Sequence, residues 1–139
     1  MCWLKAIAGA WCTTTRMHES VIWPCVFGCK DCPDSLTHYL VCPILWQFPR
    51  EFMSLEDPGL SIGSRLCLSN PSTDKLTSLA FVHTLYHWIK KDPCCVKHNG
   101  LIQSPCIVQQ RATELSRAII HLVSDHCETQ EHVQIDPIG

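Results

Sequence analysis

Five side chains able to ligate a metal fall within eighteen positions of this chain: Cys25, Cys29, Cys32, His38 and Cys42. Zinc takes four thiolate or imidazole ligands in a tetrahedron, and this stretch supplies both types at workable spacings. Cys25 and Cys29 enclose three residues, a knuckle wide enough for two sulfurs to reach one ion. Gly28, beside the second sulfur, permits the positive φ that such a turn often needs. His38 and Cys42 are four apart, so on a helix they stand one turn above each other. Two ligands from a knuckle and two from a helix predict a closed, structural Zn2+ site. Cys29 and Cys32 form a C-x2-C pair that competes with Cys25 and Cys29 for the knuckle. The plain alternative is a set of buried, inert thiols packing as small hydrophobes; five ligands so closely spaced favour metal.

The cysteine total, eleven in 139 residues, is odd and fits poorly with a closed disulfide framework. The first twelve residues, MCWLKAIAGAWC, lack the long apolar region and small-residue cleavage site of a secretory leader. The thiols are therefore expected to be reduced and the protein intracellular. No run of about 18 apolar residues offers a membrane span, so no membrane partner is expected. A chain of this length holds one ordinary domain with a modest core, which a metal staple would help. Its net charge of −2 excludes a polypeptide held on nucleic acid by bulk charge alone.

Prolines and glycines divide the chain. Trp3, Leu4, Ile7 and Trp11 recur at helical spacing, which predicts a short helix over 2–12. Asp34 or Ser35 caps a helix with Leu36, Tyr39 and Leu40 on its apolar face. Pro43 interrupts it, and a second helix restarts there with Ile44, Leu45 and Trp46. Residues 54–73 read as a connector. A long helix is expected over 74–91, with Leu76, Leu79, Ala80, Leu85, Tyr86 and Ile89 buried, Lys90 and Lys91 at its negative end and Pro93 as its stop. Ser104 and Pro105 open another, to about His126, with Val108, Ala112, Leu115, Ile119 and Leu122 on one stripe. The expected fold is all-α: a zinc-knuckle segment (1–53), the connector, a helical pair (74–127) and a disordered tail (128–139).

Three strings in the first 50 residues carry a resemblance. They are Trp11-Cys-Thr-Thr-Thr-Arg16-Met-His18-Glu19, Pro24-Cys25-Val-Phe-Gly28-Cys29, and Asp34-Ser-Leu-Thr-His38-Tyr-Leu-Val-Cys42-Pro43 with Leu45-Trp46. Together they resemble the zinc-binding C-terminal tail of reverse transcriptases from non-LTR retrotransposons, where a Cys pair is followed by an acidic residue, a His-x3-Cys and a Pro. The resemblance implies Cys25, Cys29, His38 and Cys42 as the ligand set, and a detached tail that binds element RNA or target DNA. No paired-aspartate polymerase motif occurs, so no polymerase activity is expected. Residues 1–50 carry a net charge of +1 and the remainder −3. Lys5, Arg16 and Lys30 are the candidates for phosphate contact, with Trp11, Trp23 or Phe27 as stacking surfaces. A charge of +1 is a weak field, so Trp11 and Phe27 are better read as core. The competing function is a structural or protein-interaction domain, with zinc holding the fold and the 74–126 helices facing a partner.

Other motifs carry less. Gly59-Leu60-Ser61-Ile62-Gly63 matches a nucleophile elbow, which needs a strand before it and a helix after it; Asp57-Pro58 precedes it, so Ser61 reads as a loop serine and no small-molecule substrate is expected. Cys29-Lys-Asp-Cys32 has no βαβ surroundings to make it a redox pair. His83 and His87 are one helical turn apart and within reach of a second metal with Cys94, Cys95 or His98. Thr84 stands where a metalloprotease needs glutamate, and ordinary polar positions on a helix flank are the better expectation. His121, His126, Cys127 and His132 are scattered and receive no role.

Overall fold

Capping side chains and prolines set the helix boundaries in the computed structural model, which describes residues 11–14 and 17–130. The helices are α1 (Leu36–Tyr39), α2 (Pro43–Met53), α3 (Ile62–Arg65), α4 (Thr73–Lys91) and α5 (Pro105–Gln130). Among the described residues, β pairing is confined to two isolated bridges, Pro24 with Pro33 and Val96 with Ile102. The all-α expectation holds.

Ser35, Ser61 and Ser72 sit in extended backbone before α1, α3 and α4, and each hydroxyl accepts an amide of the first turn. Such a cap satisfies a donor that the helix itself leaves without a partner. Pro43 opens α2, where its missing N–H is no loss. Its ring also keeps Cys42 extended, at φ −60° and ψ 113°. His38 and Cys42 consequently do not share a helix, as their spacing had suggested. His38 lies in α1 and Cys42 caps α2.

α4 packs against both α2 and α5, and α2 also touches α5. α4 begins and ends within a residue of its expected bounds, and Leu79, Leu85, Tyr86 and Ile89 are wholly buried. Leu76, expected inside, is 38% exposed, because it lies in the first turn, beyond the reach of the packed face. On α5, Val108, Ala112 and Ile119 are buried, but Leu122 is half exposed. The apolar stripe therefore continues past the point where the partner helices cover it. α5 runs on to Gln130, beyond the expected stop at His126.

One core runs through the molecule. Trp11, Val26 and Phe27 from the N-terminal part share a cluster with Leu45 and Phe48 of α2, Leu79 and Tyr86 of α4, and Val108 of α5. Trp11 is at its centre, stacked on Tyr39 at 6.3 Å and tilted against Tyr86 at 4.8 Å. Trp11 and Cys12 have no helical backbone; the rest of the expected 2–12 helix, and residues 131–139 of the expected tail, lie outside the described residues.

The 54–73 stretch is pinned by Arg65, which is 3% exposed. Its guanidinium donates to the Gly59 carbonyl at 2.7 Å and the Leu40 carbonyl at 3.2 Å, and lies 4.6 Å from the Trp46 ring centre. Among the described residues, no helix is long and apolar enough to cross a membrane.

Candidate metal centre

Residues 23–34 form a tight antiparallel loop. The Cys25 amide donates to the Cys32 carbonyl at 2.8 Å, and the Asp34 amide donates to the Trp23 carbonyl at 2.8 Å. At its tip the Gly28 amide closes a turn on the Cys25 carbonyl at 3.0 Å, with Gly28 at φ +91°. A Cβ on Gly28 would also lie 2.5 Å from Cβ of Pro105, at the start of α5. Glycine is required there twice, once for the backbone and once for the close approach.

The loop, α1 and the start of α2 bring Cys25, Cys29, His38 and Cys42 together, with one ligand atom from each all within 4.8 Å of one another. The sulfurs of Cys25 and Cys42 are 4.0 Å apart, and those of Cys29 and Cys42 are 3.5 Å apart. Zinc–sulfur bonds of about 2.3 Å at tetrahedral angles separate two sulfurs by about 3.8 Å, so the observed spacings bracket that value. Cys25 and Cys42 are buried and His38 is 9% exposed, while Cys29 forms the more open edge. Nε2 of His38 is buried with no hydrogen-bond partner in the protein. Such an atom is expensive to bury unless something occupies it. The donor set therefore fits a metal ion. Cys32 stays outside the group of four and packs, half-buried, against the core.

The thiols respond to one another as crowded acids do. The contact with Cys42 pulls the Cys25 thiol's pKa down; burial opposes the shift, and the amides of Cys29 and Phe27 assist it. Cys42 is pushed up, first by its hydrogen bond with Cys25 and then by burial. Cys29 is pushed up by burial. Crowded and partly buried, the three thiols oppose ionising together without a cation. A divalent ion reverses that preference, since a coordinated thiol loses its proton outright. The Leu45 amide, 3.5 Å from the Cys42 sulfur, adds a donor to the charge.

Behind the cluster stands a support that was not anticipated. Of the two expected alternatives for the α1 cap, Ser35 fills the role and Asp34 is fully buried. Its carboxylate accepts from the Tyr39 hydroxyl at 2.6 Å, the Thr14 amide at 2.7 Å and the Lys90 ammonium at 2.8 Å. The Tyr39 oxygen in turn accepts from the Val26 amide at 3.1 Å, next to Cys25. Burial and the nearby Asp34 charge push the Tyr39 phenol far up, so it remains a donor. This chain of bonds fixes α1 and the loop against α4.

The remaining candidates disperse. Lys30 is exposed in the loop, whereas Lys5 and Arg16 lie outside the described residues. Trp11 and Phe27 are wholly buried and offer no stacking surface. Trp23 is half-buried, with the Lys90 ammonium 4.6 Å from its ring centre. Ser61 caps α3 through its hydroxyl, with no strand before it among the described residues. His83 and His87 face each other on α4, while Cys94 and His98 are exposed and Cys95 is buried. Neither a family model, nor a curated protein, nor a solved structure matches the chain.

Proposed function

We propose that this chain is a structural zinc module, in which Cys25, Cys29, His38 and Cys42 hold one Zn2+ and fix the loop, α1 and α2 against the α4–α5 pair. The observation that carries the proposal is the convergence of three cysteine sulfurs and one His38 ring nitrogen, all within 4.8 Å of one another. Three thiolates and an imidazole select zinc over harder ions. Four protein ligands leave no open position, so the ion has no water to activate and the module performs no catalysis at this site. Metal content after purification under reducing conditions tests this. One zinc per chain is expected, lost in Cys25→Ser and kept in Cys32→Ser. Retention in Cys25→Ser with loss in Cys32→Ser would overturn the ligand set.

A second role, docking on RNA or DNA as the retroelement resemblance implies, is favoured by one observation: Lys30 stands exposed in the same loop as two of the ligands. Anisotropy of labelled single-stranded RNA and duplex DNA, measured across salt concentration, tests it. Lys30→Ala should lower the salt slope by about one phosphate contact. A module that binds neither nucleic acid at low salt would be structural only.

A further inference from the structure

His83 and His87 lie one turn apart on α4, with their Nε2 atoms 3.1 Å apart. A metal ion with metal–nitrogen bonds of about 2.0–2.1 Å, at angles between square and tetrahedral, holds two imidazole nitrogens about 2.9–3.4 Å apart. The pair therefore already stands at chelating distance. Both rings are held in place by Trp11: His83 meets it edge-on at 5.1 Å, and His87 lies tilted against it at 6.2 Å. His83 is 7% exposed. His87 is half-buried, which leaves an approach from solvent. Rings preset in this way lose little freedom on binding an ion.

We propose that His83 and His87 form a second, weaker metal site, a two-imidazole clamp for a divalent late transition-metal ion. Imidazole suits nickel, copper and zinc, with affinity rising from cobalt through nickel to copper. Thr84 replaces the glutamate that would make a hydrolytic centre of such a pair, so the site binds and does not hydrolyse. Its ligands are independent of the cysteine cluster, and it stands or falls apart from the zinc module.

Nickel is the appropriate probe, because copper(II) oxidises thiols. Zinc-loaded, reduced protein should be titrated with Ni2+ while tryptophan emission is followed, since Trp11 touches both rings. Zinc retention is measured in parallel by mass spectrometry. The expected result is quenching that saturates near one Ni2+ per chain with zinc retained. His87→Ala should weaken it by about tenfold or more, and His98→Ala, at an exposed histidine off the helix, should leave it unchanged. Equal quenching in wild type and His87→Ala, or no response, would overturn the site. The 3.1 Å contact would then be an imidazole–imidazole hydrogen bond only.

Discussion

Replacing Asp34 by asparagine keeps the side chain's shape and removes its charge. The carboxylate is fully buried and its partner Lys90 is 10% exposed, so solvent screens the pair little. Removing one member of such a pair leaves an uncompensated buried charge, which costs about 3–5 kcal/mol. Asparagine has a single acceptor oxygen for three donors: the Thr14 amide, the Tyr39 hydroxyl and Lys90. At least one donor is left unsatisfied, a penalty of about 1–3 kcal/mol that overlaps the first. A total near 4 kcal/mol is a large part of the 5–15 kcal/mol that holds a typical domain together. Lys90→Met keeps the apolar stem beside Trp23 and removes the opposite charge. Urea unfolding of the two single variants and the double variant, followed by far-UV circular dichroism with zinc saturating, gives the coupling directly. A coupling of about 2 kcal/mol or more is expected. A loss under about 1 kcal/mol in Asp34→Asn, or strict additivity with Lys90→Met, would refute the claim that this pair ties the metal loop to α4.

Two further perturbations read other parts of the structure. Gly28→Ala must place a Cβ 2.5 Å from Pro105 in a backbone at φ +91°, so a loss of about 2–4 kcal/mol is expected in the same urea assay; a neutral result would mean that the loop does not dock on α5. For Asp92, burial alone would raise the carboxyl pKa, but the Arg111 guanidinium at 2.6 Å and the Cys94 amide outweigh it and hold the group below its usual 3.8. A carboxylate depressed in the folded state contributes stability that is present above that value and is lost as pH falls through the lower, folded one. Asp92→Asn should therefore be less stable than wild type at neutral pH, with the difference shrinking below pH 3.8; a gap independent of pH would sink this account of Asp92.

The parts of the fold that were legible are those governed by local chemistry. Leu79, Leu85, Tyr86 and Ile89 recur at helical spacing and Pro93 ends the pattern, so α4 could be placed to within a residue. Residue types and short spacings mark five candidate ligands, and only the resemblance prefers Cys25 to Cys32; the fold groups Cys25, Cys29, His38 and Cys42 and leaves Cys32 out. Their arrangement does not follow from spacing alone. A four-residue interval suggested one helix, but Pro43 holds Cys42 in extended backbone and makes it the cap of the next helix. Asp34 and Ser35 both stand where a helix cap is expected; Ser35 takes that place and Asp34 turns inward. Its partners Thr14 and Lys90 are 20 and 56 positions away, beyond the reach of local reasoning. The exposed Leu76 and Leu122 show a related limit, since a stripe reveals which face is apolar and not how far the neighbouring helices extend.

The central claim is that three sulfurs and one imidazole of this chain enclose a single zinc ion. Zinc-edge X-ray absorption of the reduced protein measures that first shell directly. The account predicts three sulfur neighbours at about 2.3 Å and one nitrogen at about 2.0 Å, with no oxygen. A shell of two sulfurs with light atoms, or one containing water, would contradict it.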